Sequence, residues 1–123
     1  MTVQHIVTLV GVDDPTGGQH PHEAQLLAQN RQGLFTLLLK HRLRIDPKAA
    51  GLFDLQLSGH AHRGQIFPFN LLTALEYPLQ DGLHDLPAGG WLYTSRGTGS
   101  WGPPMRIFSP PEITLFEIVK SGQ

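Results

Sequence analysis

The stretch Leu34–Lys40, LFTLLLK, constrains the fold more than any other part of the chain. It is an almost continuous apolar run bounded by Gly33 and a charged loop. Such a run suits a strand buried on both faces better than an amphipathic helix, and strands of that kind belong to sheets whose faces are covered. His41 then stands at the C-terminal end of that strand. Beyond it, Asp46 is placed to cap a short helix opened by Pro47 and ended at Gly51, after which DLQLS reads as a second strand. Two strands joined through a helix are parallel when adjacent, and their C-terminal ends share one edge. His41 would come from one end, and His60 and His62, in Ser58–Gln65 (SGHAHRGQ), from the next.

The remaining chain supplies further strands and one longer helix. QHIVTLVGV is a β-rich run stopped by the turn-forming DDPTGG. HPHEAQLLAQNRQG reads as a helix, with Pro21 suited to its first turn, Glu23 near its positive end and Gly33 as its stop. WLYTS and ITLFEIV read as strands separated by a Gly/Pro-rich loop, and LHDL, Leu83 to Leu86, reads as a loop. No repeat and no linker divides the chain, so residues 1–123 are expected to form a single domain. The expected class is α+β, a mixed β-sheet with few flanking helices.

Composition narrows the chemistry. There is no cysteine, which removes disulfides and thiolate metal sites, so any metal must be held by imidazole, carboxylate, amide or water. The net charge is −1 with histidine neutral and the pI is about 6.6, so no global basic field points to nucleic acid. Locally, Lys40, Arg42, Arg44 and Lys48 surround His41 in KHRLRIDPK, either as a solvated loop or as a basic rim attracting phosphate. LFTLLL is too short to span a bilayer, and the start of the chain lacks a secretory pattern. A soluble chain is expected, with localisation open because a leader or membrane anchor could belong to a parent protein.

A Gly-His-x-His turn can bring two imidazoles to one or two metal centres. The glycine would permit close backbone approach, and Ala61 crowds neither ring. His-x-His alone also fits surface or structural histidines. Asp13 and Asp14 are explained by turn formation, and His5, His20 and His22 read as surface residues. Arg96 could orient a phosphate oxygen or anchor loop carbonyls. Gln65 could buttress the histidine turn, while Trp101, Pro103 and Pro104 would stiffen their loop.

Read together, GVDD, LLLKH, DLQLSGHAHRGQIFPF, YTSRGTGSWGPPMR and PPEITLFEI resemble, in order, the C-terminal half of the calcineurin-like metallophosphoesterases, in particular their bacterial phosphodiesterase branch. The resemblance covers nearly the whole chain and implies half of a four-layer α/β/β/α sandwich. It implies a reaction in which two divalent ions activate a water for in-line attack on phosphorus. His41 and His60 would be ligands of one ion, His62 of the other, and Arg96 a substrate contact. Lys40, Leu43, Ala61 and Arg63 depart from the family pattern, which has a small polar residue, proline, threonine and glycine there. None removes a ligand, although Lys40 and Arg63 add positive charge beside the site.

The family's Asp-x-His, Gly-Asp-x-x-Asp and Gly-Asn-His motifs, which lie in its N-terminal half, are not found in this sequence. The resemblance therefore implies the C-terminal segment of a dimetal phosphoesterase, with a phosphate-ester substrate and the missing N-terminal half as partner. Such a segment would hold Mn, Zn or Fe in one site or none, be inactive alone, and tend toward homo-oligomers. The alternatives are a stand-alone histidine-based metal-binding module and a non-catalytic interaction domain.

Overall fold

In the computed structural model, residues 7–14, 22–59, 81–98 and 110–119 are described. They form one five-stranded sheet: β1 (Val7–Val12), β2 (Phe35–Lys40), β3 (Leu55–Ser58), β4 (Gly82–Asp85) and β5 (Trp91–Thr94), in the order β1-β2-β3-β5-β4. β1, β2, β3 and β5 are mutually parallel, and β4 closes the edge antiparallel to β5. The sheet is mixed and the described helix content small, as an α+β fragment requires. The β2–β3 adjacency anticipated from the two apolar runs is present, with Leu37 opposite Leu55 and Leu39 opposite Leu57.

Side chains alternate across the sheet, so one row of a single face contains Val10, Leu38, Gln56 and Leu92. This face is covered. Helix α1 (Glu23–Gln29) lays Leu27 on it, and the connection from β2 to β3 adds Ala49 and Phe53. Leu27, Leu38, Ala49 and Leu92 have no exposed surface. α1 stops earlier than Gly33: the Asn30 side chain donates to the Leu26 carbonyl at 2.8 Å and closes the last turn. Gly33, at φ 72°, instead shapes the entry into β2.

Four local expectations are corrected. β2 is not buried on both faces: Thr36 and Leu38 are buried, but Leu39, on the other face, is 38% exposed, and no helix among the described residues covers that side. The helix expected at 46–51 is a single turn. Asp46 does cap it, accepting from the Lys48 amide at 2.9 Å, but Gly51 at φ 80° ends it at once. LHDL is not a loop. Leu83–Asp85 fall within β4, which pairs with β5 through a turn over Leu86–Gly90 closed by the Leu86 amide on the Gly90 carbonyl. ITLFEIV is not a strand of this sheet: residues 110–119 carry no regular secondary structure and lie against the face opposite α1, and Glu112 N–H reaches Gly97 O. The β-pattern is there, but the described residues supply no partner strand.

Candidate functional site

Four parallel strands end on one edge, and the pairing continues past their last residues. Gly59 donates to the His41 carbonyl at 3.2 Å, and Ser95 donates to the Ser58 carbonyl at 2.8 Å. Val12 lies opposite Lys40, so Asp13 and His41 are the next residues on neighbouring strands. The edge forms a shallow, open depression. A cleft of about 560 Å³ is lined by Asp13, His41, Ser58, Gly59 and Ser95, together with the final residues of β1 and β2. Open α/β sheets present their ligand sites at this edge, because the connecting loops there can be polar while the strands stay apolar.

His41 is exposed at the cleft, at the end of β2 as its sequence position requires. Its corner is held from both sides. Arg42 makes a bidentate pair with Asp14 across the β1–β2 boundary, Nε to Oδ2 at 3.0 Å and an Nη to Oδ1 at 3.1 Å. The carbonyl of Arg42 accepts from Ser58 Oγ at 3.1 Å. Gln56 Nε2 reaches Ser58 Oγ at 2.9 Å and the same carbonyl at 3.4 Å. Gln56 is fully buried, and its Oε1 has no partner among the described residues, a deficit that costs about 1–3 kcal/mol.

The charges around His41 are largely spent on structure. Lys40 turns toward the helix and donates to Glu23 and, at 2.8 Å, to the Arg44 carbonyl. Its positive charge is thereby matched by a carboxylate on α1, which lessens its repulsion of a cation in the cleft it borders. Half of the KHRLRIDPK cluster is thus paired, Lys40 with Glu23 and Arg42 with Asp14, while Arg44 and Lys48 are exposed.

Arg96 sits just beyond β5. Its Nε bonds Asp81 at 2.9 Å and lies 3.2 Å from Glu112 Oε2. The hydrogen bond to Asp81 holds the guanidinium above its ordinary pKa. Glu112 also accepts from Thr114 and from the Tyr93 hydroxyl, and these bonds hold its carboxyl below the usual glutamate value. Burial, followed by the bond to Glu112, raises the Tyr93 phenol. Phe116 packs edge-on against Tyr93, so this cluster fastens the 110–119 segment to the sheet.

Of the residues singled out from sequence, His41 and Arg96 are described, and His60 and His62 lie outside the described residues. The chain passes from Gly59, in the cleft, directly to His60. A methyl group at Gly59 would meet the Ser95 carbonyl at 3.7 Å, an ordinary contact, so close backbone approach is not what the glycine provides there. Asp13, which turn formation explains from sequence, also lines the cleft. Its signal was its place one residue beyond a strand, which carries weight only once β1 is known to pair with β2. No group of three or more His, Asp or Glu side chains able to hold a metal is assembled among the described residues. Asp13 and His41 are the donors they bring to the cleft, and an imidazole–carboxylate pair suits a divalent cation of hard to borderline character.

Parallel strands whose C-terminal ends share one cleft define a ligand-binding edge of the sheet. Comparison with known proteins makes the class specific. The chain is 39% identical over 117 residues to an uncharacterized metallophosphoesterase of Campylobacter jejuni, covering 91% of this chain and 31% of that protein. It is 32% identical over 126 residues to an uncharacterized metallophosphoesterase of Aquifex aeolicus, covering 98% and 48%. A bovine transmembrane protein with a metallophosphoesterase domain matches at 40% over 82 residues, 64% of this chain and 18% of that protein. The chain belongs to the metallophosphoesterase family, and it spans about a third to a half of the length of the first two relatives. No family model matches the chain, and no solved structure matches it. No helix among the described residues is long and apolar enough to cross a membrane.

Proposed function

We propose that this chain contributes the histidine-bearing strand ends of a divalent-metal phosphoesterase centre, with residues 1–123 acting as one unit. The observation that carries the reading is the convergence of the β1, β2, β3 and β5 ends on one cleft, where Asp13 and His41 meet the segment entering His60. His41 and His60 serve as ligands of one ion and His62 of a second, with Mn, Zn or Fe as suitable metals. A divalent ion held there supplies Lewis acidity toward a phosphoryl oxygen. The chain's own residues orient the imidazoles, keep the Lys40 charge on Glu23, and present Arg96 near the same edge for a phosphate-ester oxygen, its side chain braced by Asp81 and Glu112.

The Asp-bearing motifs that supply a bridging carboxylate are not found in this sequence, and His41, His60 and His62 cannot by themselves hold two ions close together, so the chain alone is inactive and the remainder of a longer metallophosphoesterase completes the centre. Hydrolysis of bis(p-nitrophenyl) phosphate with Mn²⁺ or Zn²⁺, alongside calorimetric Zn²⁺ titration, tests this. Expected are no turnover and metal binding that the His60→Ala/His62→Ala double variant removes. Metal-dependent turnover by the chain alone, abolished by His60→Ala, would contradict the segment reading. Zn²⁺ binding unchanged in the double variant would place the site elsewhere.

A further inference from the structure

Gln56 lies at the middle of the sheet, between Leu38 on β2 and Leu92 on β5 in an otherwise apolar row. Leu38, Gln56 and Leu92 are all fully buried. An apolar side chain of similar volume would fill that position with no amide to satisfy, so a glutamine there breaks the local pattern without a packing gain. Its direction is fixed by chemistry. The Arg42 carbonyl can only accept, which requires the amide nitrogen to face it. Ser58 gives its hydroxyl proton to that carbonyl and accepts from Gln56. Both donors of this small network therefore end on the Arg42–Leu43 peptide, one residue beyond His41. The adjoining bond, Gly59 N–H to the His41 carbonyl, fixes the preceding peptide to the same strand.

We infer that Gln56 and Ser58 are positioning residues that hold the Arg42–Leu43 peptide, one residue beyond His41, and so set the His41 imidazole in the cleft for a divalent cation. The inference rests on the proposed reading of His41 as a ligand. Partners that orient a metal ligand without touching the metal commonly change affinity by about 10–100-fold when removed. Ser58 and Gln56 act from beneath the corner: Ser58 is 6% exposed and Gln56 wholly enclosed, whereas His41 is exposed.

The test uses the full chain with Ser58→Ala, Ser58→Thr, Gln56→Leu, His41→Ala and Thr36→Val. Thr36 is buried in β2 far from the corner, its hydroxyl donating to the Leu34 carbonyl, so it reports a purely structural loss. Zn²⁺ affinity is read by calorimetry, the corner by amide hydrogen exchange at Gly59, and stability by urea unfolding. Ser58→Ala and Gln56→Leu are expected to weaken Zn²⁺ binding by about tenfold or more and to speed Gly59 exchange, Gln56→Leu with little loss of stability. Ser58→Thr, which keeps the hydroxyl, restores both, and Thr36→Val changes stability alone. Wild-type affinity and exchange in Ser58→Ala and Gln56→Leu, with binding lost in His41→Ala, would overturn the positioning role and leave His41 as a ligand. Binding unchanged in His41→Ala would overturn the ligand reading and with it the role in metal binding, while Gly59 exchange still decides whether the pair holds the corner.

Discussion

The two faces of the sheet differ more than any other two regions of the molecule. On one, Val10 and Leu38 lie under α1 and the β2–β3 connection and Leu92 is buried in the same row, with at most 7% of their surface exposed. On the other, Leu9 is 62% exposed, Leu83 55% and Trp91 45%, and residues 110–119 cross it with Ile113 and Leu115 more than nine-tenths exposed. A groove of about 290 Å³ remains between that segment and Phe35, Leu55, Leu83 and Trp91. Among the described residues, a helix covers one side of the sheet only. The covered face supplies folding energy, whereas the open face carries apolar surface that a monomer seldom leaves uncovered.

Substitution on the covered face should have the largest effect. Leu38→Ala removes a fully enclosed side chain and is expected to cost about 2–5 kcal/mol in urea unfolding. Gly90→Ala comes next. Gly90 has φ 83°, and a methyl group there would lie 2.6 Å from the Phe53 carbonyl, pushing the β4–β5 turn away from the covering layer. Backbone strain of this kind costs about 1–3 kcal/mol, readable as a lower urea midpoint. On the open face, Trp91→Glu should change stability by no more than about 0.5 kcal/mol. It should instead weaken self-association, expected to be concentration-dependent in the parent chain and followed by sedimentation, by about tenfold or more. A strictly monomeric parent chain would mean that the open face needs no second copy.

The smallest effect concerns the clasp of the 110–119 segment. The Glu112 carboxyl is held low chiefly by hydrogen bonds from Thr114 and Tyr93, so its contribution is fully present above the ordinary glutamate value of 4.5 and fades as the pH falls through the lower folded value. Tyr93 is raised above 10.0, chiefly by burial, so its contribution is present below that value and fades as the pH rises through the folded one. Amide exchange across 112–119 should therefore accelerate at both extremes while β2 stays protected. Glu112→Gln should abolish the acid limb of that profile.

The sequence revealed the parts whose signal is local. LFTLLLK and DLQLS announced adjacent strands, and Asp46 announced its cap, because apolar runs and side-chain caps act within a few residues. β4 was missed because His84 and Asp85 are weak strand formers, and their pairing is imposed by the Leu86–Gly90 turn, with Gly89 and Gly90 at positive φ. ITLFEIV carried the alternation of a strand, yet alternation cannot supply a neighbour to pair with. At the site, the position of His41 followed from its strand. The neighbouring place of Asp13 and the turning of Lys40 toward Glu23 depend on β1 pairing with β2 and on α1 packing above them. Neither relation is written in the spacing of the residues.

The central claim is that a divalent cation binds where the parallel strands end. Paramagnetic broadening of backbone amides by Mn²⁺ tests it most directly. Sub-stoichiometric Mn²⁺ should broaden Asp13, His41, Gly59 and Ser95, which line the cleft, and leave Leu86–Gly90, at the opposite end of β5, sharp. The pattern should vanish in His41→Ala. Broadening that is uniform over the chain, or that persists unchanged at the cleft without the His41 imidazole, would contradict the claim.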